Sequence, residues 1–166
     1  MFGIPLPWLL VGLAISLFGT YRGGYHFGWS DRDKEMQIEI ADRVTDELLD
    51  ALTRLIPQLK ISSPRLTRDD VAALLASDAV SLLTARGDTG ALVGMLTLVV
   101  YRVPTGVRAR IEDVVVDESV RGQGVALALV QRALDVARSK DADGVALTSN
   151  PRREAANKLY QKVGFK

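Results

Sequence analysis

Apolar residues recur along this chain with a period of two in some stretches and of three to four in others, and the order of those stretches predicts the architecture. Met36–Ala41 (MQIEIA) alternates, with Ile38 and Ile40 on one face, and predicts a short strand. Thr45 stands before Asp46 and Glu47 as an N-cap with acids in the first turn, where the helix dipole favours them. Leu48, Leu49, Leu52, Leu55, Ile56 and Leu59 then form the stripe of an amphipathic helix, which Pro57 ends or kinks. Ser62-Ser63-Pro64 predicts a loop. Thr67 caps a second short helix through Ala76, with Asp69 and Asp70 in its first turn. Val80–Arg86 and Ala91–Arg102 predict a hairpin about the Gly87–Gly90 turn, and Pro104-Thr105-Gly106 turns the chain into a third strand, Ala109–Val116. Gly124–Ser139 has helical spacing, Gly144–Thr148 reads as a short buried strand, and Arg153–Val163 is a final helix stopped by Gly164. The order β-αα-βββ-α-β-α predicts an α/β fold, a mixed sheet flanked by helices.

The first stretch has neither period. Ile4–Tyr21 (IPLPWLLVGLAISLFGTY) carries no charge, and the 21 Lys and Arg and 20 Asp and Glu all lie beyond it. As a helix it would run about 27 Å, close to a hydrocarbon core of about 30 Å. Pro5 and Pro7 stand at its start, and Trp8 and Tyr21 near its ends, as interfacial aromatics do. A cleaved signal peptide and a buried core helix are the rival readings; the basic start and small-residue cleavage site of the former are not evident. The expectation is a transmembrane anchor over residues 1–22 in contact with membrane lipid, a juxtamembrane linker over 23–36 and a folded domain over 37–166. Arg22, Arg32 and Lys34 follow the span, so the positive-inside rule places the domain in the cytoplasm, tethered to an inner or plasma membrane.

Composition narrows the chemistry of the remainder. The absence of Cys excludes disulfides, thiolate metal sites and cysteine nucleophiles, and a single histidine, His26, argues against a Ser-His-Asp triad or a multi-histidine metal site. No metal is expected. A net charge of +1 gives no broad basic field for nucleic acid.

The informative stretch is Val114-Val115-Val116-Asp117-Glu118-Ser119-Val120-Arg121-Gly122-Gln123-Gly124-Val125-Ala126, where a strand runs into a glycine-bearing loop that opens an amphipathic helix. Glycines there let backbone N–H groups approach a ligand, and the helix start favours anions, a diphosphate above all. Arg121 adds a charged donor. The loop lacks the G-K-[ST] of a Walker motif and the third glycine of a dinucleotide fingerprint.

Arg121-Gly122-Gln123-Gly124-Val125-Ala126 resembles the R/Q-x-x-G-x-G/A signature of the GCN5-related N-acetyltransferases, the GNAT superfamily. Glu154-Ala155-Ala156-Asn157-Lys158-Leu159-Tyr160-Gln161-Lys162-Val163-Gly164-Phe165 resembles that family's second signature, A-x-x-LY-x-x-x-GF, and the element order from about Gln37 onward matches. The resemblance implies acetyl-CoA as co-substrate, its pyrophosphate on the amides of Gly122, Gln123, Gly124, Val125 and Ala126 beside Arg121. It implies a pantetheine arm paired with the backbone of Val114, Val115 and Val116, where Ala109–Val116 and Gly144–Thr148 splay apart. It implies direct attack by an amine of a small molecule or peptide, Tyr160 as the acid that protonates the leaving thiolate and Glu112 as the base. Strand alternation allows only one of Glu112 and Asp113 into a given cleft. Asn157 is a candidate contact to the cofactor and Asn150 a lesser one. The asparagine usual in the family seven residues before the tyrosine is here Arg153. A homodimer is left open.

A further resemblance and a further reading set alternatives. The first forty residues resemble the start of phage inner-membrane lysis proteins of the spanin type, which implies the opposite orientation and a lysis protein or chimeric reading frame whose GNAT part is structural or inactive. A GNAT domain that binds coenzyme A without catalysis is a third reading. The family also continues after its GF with a β-hairpin, whereas this sequence stops at Lys166. An unpaired edge on Gly144–Thr148, low stability and weak activity are therefore expected.

Overall fold

The computed structural model describes residues 36–59 and 65–166. The anchor expected over 1–22, the linker up to residue 35, His26 and the Ser62–Pro64 loop lie outside them.

Five strands form one sheet in the order β1 (Gln37–Ile40), β2 (Val80–Arg86), β3 (Leu92–Val103), β4 (Gly106–Val116) and β5 (Val145–Leu147). The first four run antiparallel to their neighbours, and β5 lies parallel to β4. The helices are α1 (Asp46–Leu55), α2 (Arg68–Leu75), α3 (Val125–Ser139) and α4 (Glu154–Val163). The β3–β4 turn is tighter than the sequence suggested. Only Pro104 and Thr105 separate the strands, and β4 begins at Gly106 rather than Ala109.

Helices cover both faces. Leu48, Leu52 and Leu55 of α1 and Val71 of α2 pack with Leu82, Met95 and Val115 of the sheet. Leu129, Val130 and Ala133 of α3, with Tyr160 and Phe165, pack with Leu83, Leu96 and Ile111 on the other side. Burial on both faces explains why β2 and β3 read as near-continuous apolar runs rather than alternating ones. At Gly94 of β3 an added Cβ would stand 3.1 Å from side-chain atoms of both Val125 and Leu129, so glycine lets the start of α3 approach the sheet closely.

The caps form as the sequence predicts. The Thr45 hydroxyl accepts from Leu48 N at 3.1 Å. Thr67 and Asp70 make a reciprocal capping box. α1 ends at Leu55, and Pro57 sits in a 3-10 turn, Ile56–Leu59. Among the described residues no helix is long and apolar enough to cross a membrane. The longest, α3, has 15 residues and carries Arg132, Asp135 and Arg138. Among the described residues the expectation of a single-pass membrane protein with its lipid contact therefore finds no support.

Arg86 fastens three elements, donating to Glu47 of α1 through Nη1 at 2.6 Å and Nη2 at 3.0 Å, and to Glu39 of β1 at 3.3 Å. The hydrogen bonds from Arg86 hold the Glu47 carboxyl below the ordinary value of 4.5. A carboxylate depressed in the folded state stabilises above its unfolded value, and that contribution is lost as pH falls through the folded one. Below about pH 4.5 the melting temperature of Arg86→Gln is therefore expected to fall less steeply than that of wild type. Parallel curves in melts from pH 3 to 6 would contradict this.

Candidate active site

β4 carries the site because its partners change along its length. Ala109, Arg110 and Ile111 pair with Val145, Ala146 and Leu147 of β5. Past Ile111 that edge of β4 has no strand beside it among the described residues. On its other edge the ladder to β3 slips. Leu98 faces Ile111 and Leu96 faces Val114, so Glu112 and Asp113 together stand opposite Thr97. Such a bulge interrupts the alternation of faces. Both residues are exposed, and both line a cleft of about 140 Å³, where alternation alone would bring one of them. Leu147 of β5, Thr148 just after it, Arg153 at the N-cap of α4, Tyr160 of α4 and Leu59 line the same cleft.

The two acids differ in their surroundings. Arg110 Nε donates to the Glu112 carboxylate, and Arg110 Nη2 donates to Thr148 Oγ1 at 2.8 Å, so Glu112 belongs to a bridge across the β4–β5 junction. Asp113 makes no hydrogen bond or ion pair with another described residue.

Past the bulge, Asp117 N donates to Val93 O at 2.8 Å. Alternation then turns the backbone groups of Val115 and Asp117 toward β3 and those of Val114 and Val116 toward the open edge. Both open-edge carbonyls meet arginines: Arg153 Nη2 donates to Val114 O at 3.2 Å and Arg121 Nε to Val116 O at 3.3 Å. Of the three valines singled out by sequence, Val114 and Val116 present the free edge, while Val115 is tied to β3 and packs against α1 and α2.

The glycine loop follows. Gly122 and Gly124 have φ of +80° and +87°, and a Cβ on either would meet nothing within 4 Å. The positive φ favours glycine at both positions. Arg121, Gly122, Gln123 and Gly124 are exposed, Val125 is buried and Ala126 half-buried. Gly124 caps α3 without a side-chain hydrogen bond, so the first-turn amides lack a side-chain acceptor.

Sequence reasoning missed how this loop is held. The buried Asp117 carboxylate accepts from Arg54 Nη1 of α1 and from Ser119 N and Oγ at 3.0 and 2.7 Å. Arg54 Nη2 donates to Leu92 O at 2.6 Å, and Gln58 Oε1, one turn on, accepts from Glu118 N at 2.9 Å. The partners of Arg54 and Gln58 lie 38 to 63 residues away, and no local motif marks them.

Tyr160 is 4% exposed, its ring edge-on to Phe165 with centroids 6.2 Å apart. Burial raises its phenol above the ordinary value of 10, and the charge of Arg153 acts against that rise. Asn157 Nδ2 donates to the carbonyls of Asn150 and Pro151 at 3.1 and 3.3 Å and so ties down the loop after β5. Asn157 Oδ1 and the nearby Ser149 Oγ are buried without partners. Among the described residues no group of His, Cys, Asp or Glu could hold a metal ion.

An open strand edge and a glycine loop thus lead from β4 into α3, and a buried tyrosine of α4 lines the cleft beside that edge. The chain belongs to the acetyltransferase (GNAT) family, whose sequence profile matches residues 42–165. It is similar to glucosamine 6-phosphate N-acetyltransferase of Trypanosoma brucei brucei, 40% identical over 81 residues, covering 47% of this chain and 53% of that one. It is also similar to N-alpha-acetyltransferase 30 of Schizosaccharomyces pombe, 34% identical over 61 residues, 37% of this chain and 41% of the relative. The chain thus spans about half the length of the curated relatives it matches. An acetyltransferase structure from Trypanosoma brucei superposes with a TM-score of 0.65 at 26% identity, covering 80% of this chain and 93% of that one. The likeness of the first forty residues to spanin-type proteins finds no support in these matches.

Proposed function

We propose that this chain is an acetyl-CoA-dependent N-acetyltransferase acting on a primary amine of a small molecule or peptide. The observation that carries the reading is the splay of β4 from β5, which leaves the backbone of Val114 and Val116 open between the Gly122–Gly124 loop and the Tyr160 cleft. The residues fit the co-substrate: the positive φ of both glycines and the uncapped amides of α3 suit a diphosphate.

Acetyl-CoA supplies an activated acyl group, a thioester that an uncharged amine attacks directly. The backbone of Val114 and Val116 would hold the pantetheine arm as an added strand, with Arg153 and Arg121 yielding their carbonyls. Gly122, Gln123, Gly124, Val125 and Ala126 would hold the diphosphate, with Arg121 as charged donor. The unpartnered Oδ1 of Asn157 is the acceptor it would offer the arm. Glu112 and Asp113, at the bulge, would hold the acceptor ammonium and take its proton, directly or through water. Tyr160, buried beside them, would donate the proton the departing thiolate needs.

Thiol release by the full chain with acetyl-CoA tests this. Glucosamine 6-phosphate and peptides with free α-amines are the first acceptors to try, since the matched relatives bear those names. Turnover on an amine supports the reading and overturns the weak activity expected from the sequence. Binding of acetyl-CoA with no transfer to any amine would leave a coenzyme A-binding domain instead. Gly124→Ala places a side chain at φ +87°, which costs about 1–2 kcal/mol. It is expected to raise KM for acetyl-CoA several-fold with kcat retained, measured by steady-state kinetics.

A further inference from the structure

Tyr160 and Arg153 lie seven residues apart, Arg153 at the N-cap of α4 and Tyr160 two turns on, so both fall on one face, and both line the cleft. Arg153 reaches back to β4, where Nη2 donates to Val114 O at 3.2 Å. No carboxylate among the described residues pairs with it. The other charged groups around the cleft are unfavourable or spent. From β4, Glu112 and Asp113 are acids, and Arg110 is engaged with Glu112 and Thr148. From β5, the residue after it and the turn after α1 come only Leu147, Thr148 and Leu59, and Phe165 packs on the ring. Arg153 is thus the unneutralised cation of this cleft.

A tyrosine that gives up a proton becomes a phenolate, here largely buried in a cleft that Glu112 and Asp113 also line. We propose that Arg153 is the positioning residue that makes Tyr160 usable as a proton donor, its guanidinium offsetting the charge left on the phenolic oxygen. The proposal rests on the acetyltransferase reading above. In the step, the Tyr160 O–H bond breaks and an S–H bond forms on the leaving thiol. The electron pair stays on the phenolate oxygen, and the proton released by the acceptor nitrogen restores the phenol through solvent. The electrostatic influence of Arg153 on the phenol agrees with this in sign: without it the phenol is a weaker acid.

The test compares full-chain wild type, Arg153→Gln, Arg153→Lys, Tyr160→Phe and the Tyr160→Phe/Arg153→Gln double variant by kcat, KM and pH profile. Arg153→Gln is expected to lower kcat by about tenfold, with KM for both substrates nearly unchanged, and to move the basic limb of the profile to higher pH. Arg153→Lys is expected to keep the limb in place. In the Tyr160→Phe background Arg153→Gln is expected to have no further effect, since residues acting through one another are not additive. An unmoved limb, or a full kcat loss from Arg153→Gln in that background, overturns the proposal and leaves the acetyltransferase reading standing. Transfer unaffected by Tyr160→Phe overturns both the tyrosine's role and this proposal. Absence of transfer by wild type on every amine overturns them with the activity itself.

Discussion

Tyr160→Phe is expected to lower kcat by about 10²-fold or more, the range spanned by loss of a general acid. The substitution removes one hydroxyl and keeps the ring that packs against Phe165 and the α3–α4 core. No described residue hydrogen-bonds that hydroxyl, so the fold loses little. The melting temperature and KM for acetyl-CoA should therefore stay near wild type while turnover falls. Wild-type kcat in a folded Tyr160→Phe protein would remove the tyrosine from the chemistry. A fall in melting temperature to match the fall in rate would make its role one of packing.

The second large effect is on stability. Arg54→Ala leaves the buried Asp117 carboxylate without its guanidinium and Leu92 O without its donor. Breaking a fully buried pair costs about 3–5 kcal/mol. The Arg54 side chain is 46% exposed and that of Asp117 12%, so solvent recovers part of the loss, and about 2–3 kcal/mol is expected. The damage should reach the site, because Asp117 also orders Ser119 at the entrance to the glycine loop. Urea denaturation should show the lower midpoint. Under folded conditions KM for acetyl-CoA should rise more than kcat falls. Unchanged stability would mean that the α1 clamp contributes nothing; a kcat loss with unchanged KM would place Arg54 in the chemistry.

The bulge and the two arginines on the open edge show where local reading stops. Within one strand, Ile111-Glu112-Asp113-Val114 obeys alternation, and the expectation that one acid faces away follows from it. The bulge is a property of two strands in register, since it exists only because Leu96 and Leu98 meet Val114 and Ile111. Likewise Arg153 reads as a departure from a family pattern, and nothing within its own helix says that it reaches the Val114 carbonyl. Asn157 illustrates the converse. Its position in a signature helix suggested a ligand contact, and the structure shows its amide nitrogen tying down the preceding loop.

By itself the sequence determined the order of elements, the Thr45 and Thr67 caps, the glycine loop opening α3 and the αL stop at Gly164, because caps, turns and hydrophobic periods depend on neighbours within a few residues. It also supplied the residue types of the candidate site, Glu112, Tyr160 and the Gly122–Gly124 loop. Tertiary structure alone decided that Asp113 joins Glu112 in the cleft, that Val114 and Val116 rather than Val115 face the open edge, that Arg54 clamps Asp117 across sixty-three residues and that Arg153 lines the cleft beside Tyr160. Each of these is set by the register and packing of segments far apart in the chain, which no local pattern encodes.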